Sequence, residues 1–371
     1  MIKKLLRSAM IGMLVLSTVA GCGNTATTPE GQNNTTNSTQ TNAGFKIGMV
    51  TDLGSIDDKS FNQLTWEGIK QADATYGTTS KYLKPGSADQ VDLQKEVTNL
   101  YDAGFHFIVT PGHKFATTIY TVQDLYPDAK FVILDAVPMS NDGTQKVGDN
   151  TVVALFKEQE AGFLAGVAAA VEIKEGNAGF IGGMETEAVQ RFNWGYQQGI
   201  KYANDKYGTK INMDPVNFIY QGTFSEVAAG QQISAQMYDR GVNFIFSAAG
   251  GVGSGVIKEA RERAGRGDKV WVIGVDSDQY DEGIYSDNQS VILTSALKNV
   301  GTATFNIIGE EVNGAFPGGQ TLHFGVENNG VGLPANNPNL SEKTMATVNE
   351  VYGQMQSGQI VVNGSGEGLI K

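Results

Sequence analysis

The chain has 371 residues, with 27 Lys and Arg against 39 Asp and Glu, a net charge of −12. That acidic balance argues against nucleic-acid polymers and anionic lipid surfaces as charge-driven partners, because both are held by basic patches. A single cysteine rules out an internal disulfide.

Lys3, Lys4 and Arg7 form a basic flank, followed by an apolar stretch from Ala9 to Val19, 11 residues long. A membrane-spanning helix needs roughly 20 apolar residues. The short core and the small residues Ala20 and Gly21 therefore read as a signal peptide over 1–21. Val-Ala-Gly before Cys22 resembles the lipobox of bacterial lipoproteins. It implies cleavage before Cys22, acyl chains such as palmitate on it, and a lipid-anchored place on the extracytoplasmic face of the cell membrane. Without 1–21, which carries three basic and no acidic residues, the net charge is near −15. The run GNTATTPEGQNNTTNSTQTN has no apolar cluster, so 22–43 reads as a flexible tether.

From Gly44 onward, short apolar strands alternate with helical patterns. Phe45–Thr51 reads as a first strand and Phe61–Tyr76 as a helix, with Phe61, Leu64, Ile69 and Ala72 at helical spacing. Strands over 106–110 and 131–135 flank a helix near 115–125. The series continues with a strand at 152–156, a small-residue helix near 158–171, a strand at 178–182 and a helix near 189–203. A strand at 218–220, a helix near 225–240, and strands at 242–246, 270–275 and 291–296 complete it. Strands separated by helices predict parallel sheets with right-handed crossovers. The expected architecture is two Rossmann-like lobes joined by three crossings. One is expected over 44–150 plus 295–325, the other over 151–294 plus 326–371. Ligands of such sheets lie beyond the carboxyl ends of the strands.

Candidates follow the strands directly. Asp52 ends the first strand. Ser60 suits a helix N-cap, and Phe61 and Asn62 begin the helix, so a carboxylate, an aromatic face and an amide lie within eleven residues. Taken alone, Phe61 reads equally well as core, and Asp57, Asp58 and Ser60 as turn and cap residues. Asp276 follows the strand at 270–275, and Lys298 the strand at 291–296.

The run TDLGSIDDKSFNQLTWEGIKQ resembles the signature of the basic membrane lipoprotein family. YPDAKFVILD, EAGFLAGVAAA, QGTFSEVAAGQQISAQMYDRGVNFIFSAAGGVGSG, VIGVDSDQ and VILTSALKNV resemble further stretches of it, in order, from about Phe45 to the C-terminus. The resemblance implies a type I periplasmic-binding-protein fold. The implied function is a solute-binding lipoprotein, not an enzyme, that captures purine nucleosides (guanosine, inosine, adenosine) for the permease subunits of an ABC importer. Carried over by position, Phe61 and Phe224 stack on the purine, Asp52 and Asn62 bond its edge, and Gly250, Asp276 and Lys298 hold the ribose. Ser55 and His113 depart from the family pattern. His113 follows a strand and is a further ligand candidate, with a structural role as the alternative. A receptor for a sugar, riboflavin or a signalling molecule, acting as a sensor, is the rival reading.

Other signals are weaker. Gly250-Gly-Val-Gly-Ser-Gly255 lacks the ending of a phosphate loop, and its glycines suit close approach of backbone to a sugar. Asp276–Asp281 places Tyr280 and Asp281 where an EF-hand needs an oxygen ligand and a glycine. His106, His113 and His323 have no metal-ligand spacing. No Gly-x-Ser-x-Gly elbow occurs. No metal and no cofactor are expected, and the protein is expected to be monomeric.

Overall fold

A computed structural model describes residues 44–370. The expected signal peptide, Cys22 and the whole of the expected tether lie outside the described residues. The chain begins with β1 (Lys46–Val50), α1 (Phe61–Tyr76), β2 (Thr79–Leu83), α2 (Gln90–Asp102), β3 (Phe107–Pro111), α3 (Ala116–Leu125), β4 (Lys130–Leu134) and β5 (Thr151–Phe156). It then enters α4 (Glu158–Ile173), β6 (Glu175–Gly182), α5 (Glu187–Tyr207), β7 (Lys210–Tyr220), α6 (Val227–Asp239), β8 (Phe244–Ala248), α7 (Gly251–Gly265) and β9 (Trp271–Asp276). A small hairpin, β10 (Ile284–Ser286) with β11 (Gln289–Ser290), precedes β12 (Ile292–Lys298). The chain closes with α8 (Val300–Val312), β13 (Thr321–Phe324), β14 (Val331–Gly332) and α9 (Glu342–Gln356).

Two six-stranded sheets result, in the orders β13-β5-β4-β3-β1-β2 and β14-β12-β9-β8-β6-β7. The first is parallel throughout. The second is parallel except for the antiparallel β12–β14 pair. Strands covered by helices on both faces carry unbroken apolar runs rather than alternation. Accordingly, every residue of β3 and of β8 is buried.

Helix α4 is apolar all round, with each residue from Ala161 to Val171 buried, as a central helix requires. It meets α5 backbone to backbone. A Cβ at Gly162 would lie 2.3 Å from the Phe192 carbonyl oxygen, and one at Gly195 would lie 2.0 Å from that of Gln159. The glycines thus set the α4–α5 distance, and any side chain there forces the helices apart.

The chain passes between the sheets three times: at Lys157, at Asn299 and over Gly325–Gly330. The first crossing corrects the expected boundary. Residues 151–156 were expected in the second lobe, yet β5 pairs with β4 from Phe131↔Thr151 to Leu134↔Ala154. Likewise 295–298 belong to the second sheet, since Ser295, Ala296 and Leu297 pair with β9. The first two crossings are each one residue at the end of a strand and carry no linker composition. The crossings are tied together: Lys157 N donates to the Phe324 carbonyl (2.8 Å) and Asn299 N to that of Gly330 (2.9 Å).

Sequence reading found α1 with its observed bounds but passed over β2, α2, α7, α8 and α9. Strand β2 is an edge with no buried residue, so it carries no apolar run. Helix α7 begins inside the glycine run. Its Gly255 and the facing Gly230 of α6 serve close helix packing, each with a would-be Cβ 2.0 Å from a carbonyl of the opposite helix.

Candidate ligand-binding cleft

A cavity of about 450 Å³ opens between the carboxyl ends of the two sheets, within the size range of small-ligand sites. All eight expected residues line it: Asp52, Phe61, Asn62, His113, Phe224, Gly250, Asp276 and Lys298. The first lobe supplies the end of β1, the start of α1 and the turn after β3. The second supplies the turns after β7 and β8 and the last residues of β9 and β12. Asp135, Arg191, Phe192 and the 184–189 segment also line the cavity, and they were missed.

One end is built by the loop before α1. Ser60 holds the N-cap position but its hydroxyl caps nothing. Asp58 does that work: Oδ1 accepts from Ser60 N (2.9 Å) and Gln63 N (3.1 Å), and Oδ2 from Asn62 N (3.1 Å). Asn62 Nδ2 donates to Asp52 Oδ1 and to Asp58 Oδ2, both at 2.9 Å. Gly54 N donates to Asp52 Oδ1 at 2.6 Å. Burial raises the Asp52 carboxyl above its ordinary range, against the lowering effect of the Gly54 and Asn62 hydrogen bonds. Burial lowers the His113 imidazole, helped by Lys114, so His113 is neutral at pH 7.

The aromatic residues come from opposite lobes, Phe61 from the first turn of α1 and Phe224 from the turn after β7. Phe224 packs on backbone: a Cβ at Gly183 would lie 2.3 Å from its Cδ1. Gly183 thereby clears the space this ring occupies. Gly250, with φ 54° ahead of α7, lies against the Phe224 main chain.

The other end is a buried ionic cluster assembled from both lobes. Lys298, 2% exposed, bonds the Asp135 carboxylate and lies 2.8 Å from Glu158 Oε1. Glu158 is fully buried and accepts from Arg191 Nε at 2.7 Å. The Lys298 ammonium also sits 5.0 Å from the ring centroids of Phe61 and Phe156, at cation–π range. Burial would lower the Lys298 ammonium, but Asp135, Glu158 and Asp276 outweigh it and hold it above its ordinary value. Burial pushes both Asp135 and Asp276 up to about 6, Lys298 opposing in each case. Asp135 Oδ1 is buried without a hydrogen bond. Asp135 adopts a left-handed φ of 64°, as does Asp276, so each turns out of its strand end into the cleft.

Contacts also cross the mouth. Ser60 donates to Asp276, and Ser277 Oγ to the Lys59 carbonyl at 2.8 Å. Gln279 Nε2 donates to the same carbonyl at 3.2 Å. Loop 59–60 of one lobe therefore touches 276–279 of the other. Among the described residues no His, Cys, Asp and Glu group has metal-binding geometry, and no helix is long and apolar enough to cross a membrane.

Comparison with known proteins agrees with this architecture. The model of the family described as ABC transporter substrate-binding protein PnrA-like matches residues 45–365. A CD4+ T-cell-stimulating antigen of Listeria monocytogenes is 33% identical, over 86% of this chain and 88% of its own. The ABC transporter nucleoside-binding protein BmpA of Lactococcus lactis subsp. cremoris is 32% identical, over 90% and 92%. Among solved structures, an ABC transporter solute-binding protein from Aeropyrum pernix K1 superposes with a TM-score of 0.74 at 24% identity, covering 87% of this chain and 95% of that one. A solute-binding protein from Conexibacter woesei gives 0.66 at 20% identity, over 86% and 98%. These two share the type I solute-binding fold. The chain belongs to the PnrA-like family of ABC transporter substrate-binding proteins, and is a binding protein, not an enzyme.

Proposed function

We propose that this chain captures purine nucleosides, guanosine, inosine and adenosine among them, and delivers them to ABC permease subunits while lipid-anchored through Cys22 on the extracytoplasmic face of the cell membrane. The observation that supports this reading is the pairing of Phe61 and Phe224, from opposite lobes, in a cavity with hydrogen-bonding groups at both ends. Two rings suit a flat heterocycle, since base–aromatic stacking contributes about 1–3 kcal/mol per base. Asp276, Asp135 and Lys298 suit a polyhydroxylated sugar, because carboxylates accept from hydroxyls and an ammonium donates to them. No bond is made or broken. Binding draws the lobes together, and the closed form is what a permease reads.

Calorimetry of the protein with guanosine, inosine, adenosine, their free bases and pentoses tests the reading. Nucleosides are expected to bind more tightly than either half alone. Binding of a pentose with failure of every nucleoside would replace this function with that of a sugar receptor. Cys22→Ala is expected to release the protein from the membrane fraction; retention there would refute the anchor.

A further inference from the structure

Six carboxylates line the cleft, Asp52, Asp58, Asp135, Glu185, Glu187 and Asp276, against two cations, Arg191 and Lys298. Both cations are already engaged. Lys298 donates to Asp135, and its ammonium lies 2.8 Å from Glu158 Oε1. Arg191 Nε donates to Glu158 Oε2 at 2.7 Å, and its Nη1 to Glu187 at 3.4 Å. Glu158 is therefore shared by the two. An acidic residue in the first turn of a helix ordinarily faces solvent, where it complements the helix dipole. Glu158 holds that position in α4, yet it is fully buried and stands behind the cavity wall. Water screens a buried charge less than an exposed one, so Glu158 acts on its surroundings more strongly than the exposed Glu185 and Glu187. Together with Asp135 and Asp276 it sets three carboxylates against two cations. This end of the cleft is left negative although both cations face it.

We propose that Glu158 is a positioning residue which commits Lys298 and Arg191 to itself and so bars phosphorylated ligands, keeping the cleft for sugars with free hydroxyls. The inference rests on the nucleoside reading, in which the sugar lies at this end. A neutral hydroxyl asks for single donors and acceptors. The Lys298 ammonium has three N–H groups and keeps one after Asp135 and Glu158 are served. A phosphate monoester carries about two negative charges at pH 7.5 and needs cations that are not already neutralised. Glu158 selects without touching the ligand, by setting the charge that the ligand meets. Loss of its charge would leave Asp135 and Asp276 against Lys298 and Arg191, a balanced set open to an anion.

The test is calorimetry of the full chain at pH 7.5 with guanosine, guanosine 5′-monophosphate and 5′-O-sulfamoylguanosine. The sulfamoyl group is uncharged and has nearly the size of a phosphate, so it separates charge from bulk. The sulfamoyl compound is expected to bind at least about a hundredfold more tightly than the monophosphate. Equal affinity of the two, or failure of both while guanosine binds, would overturn the inference and leave the nucleoside reading standing. Failure of guanosine itself, with inosine and adenosine, would overturn that reading first. Glu158→Gln removes the charge and keeps the side-chain volume. Its sulfamoyl-to-monophosphate ratio is expected to fall at least about tenfold, through tighter binding of the monophosphate. A purely structural role would weaken all three ligands alike and keep the ratio at the wild-type value, which would refute the role of Glu158. Glu158→Met, which turns no donor toward either cation, replaces E158Q in the same comparison if E158Q does not fold.

Discussion

The two ends of the cleft are built on different plans. Asp52, Asp58 and Asn62 lie within eleven residues of one another, on one lobe, and bond to one another and to nearby backbone. Asp135, Glu158, Arg191, Asp276 and Lys298 come from five separate elements and both lobes, with Lys298 bonding a partner 163 positions away. The first end is complete in a single lobe. In the second, Glu158, Arg191, Asp276 and Lys298 belong to one lobe and Asp135 joins them from the other, and Glu158 and Lys298 sit beside two of the three crossings. We read the local end as the part that identifies a ligand and the distributed end as the part that couples binding to closure. That division can be broken experimentally.

The largest effect is expected from Lys298→Met. It removes the ammonium from between Asp135, Glu158 and Asp276 and leaves buried charge uncompensated, which costs about 3–5 kcal/mol. Urea unfolding should show that loss at pH 7.5. The deficit should shrink toward pH 5, where Asp135 and Asp276 take up protons. A variant within about 1 kcal/mol of wild type would mean the cluster is not what holds this end together.

Phe61→Ala and Phe224→Ala come next. Each is expected to cost about 1–3 kcal/mol of nucleoside affinity by calorimetry. Unchanged affinity in both would refute stacking. Phe61→Ala should also disturb the distributed end, because the Lys298 ammonium lies over its ring, whereas Phe224→Ala should not.

A smaller, pH-dependent effect separates the ends further. Asp135 and Asp276 have folded-state values near 6, above the ordinary carboxyl range, through burial. Raised carboxyls bind protons more tightly in the folded protein than in the unfolded chain. Their contribution to stability is therefore fullest below the ordinary range and is lost as pH rises toward 6. Ligand affinity should run the other way, since hydroxyls are accepted best by ionised carboxylates. Calorimetry from pH 5 to pH 8 should show affinity rising to about pH 6–7 and then level. In Asp276→Asn the rise should flatten, and stability at pH 7 should not fall. A flat wild-type profile would remove these two carboxylates from ligand binding.

The same division explains what could be read from the sequence. Asp52, Asp276 and Lys298 were legible because each ends a strand, where ligands of parallel sheets lie. Asp135 ends β4 in the same way, within the quoted run YPDAKFVILD, and the strand-end rule would have found it. Glu158 and Arg191 gave no such signal. Their meaning lies in a contact between α4 and α5, and a charged residue at a helix start ordinarily reads as solvated. Gly183 was equally silent, since its role is the space it leaves for Phe224. The lobe boundary slipped by six residues because β5 is followed by its helix with the rhythm of every other βα unit, and only the pairing Phe131↔Thr151 shows which sheet it joins.

His113 gives the smallest expected effect and the sharpest contrast. It lines the cavity, yet burial lowers its imidazole, so at pH 7 it brings no charge. A neutral ring can supply at most one ordinary hydrogen bond, with a net value of about 1 kcal/mol. His113→Phe keeps the aromatic bulk and removes that bond. Guanosine affinity should therefore change by about fivefold or less, by an amount that does not vary between pH 7 and pH 8. A larger loss, or one that grows as pH falls through 7, would mean that a protonated His113 donates to the ligand. The local end would then add a cation to its carboxylates, and the pH dependence near 7 could no longer be assigned to the distributed end alone.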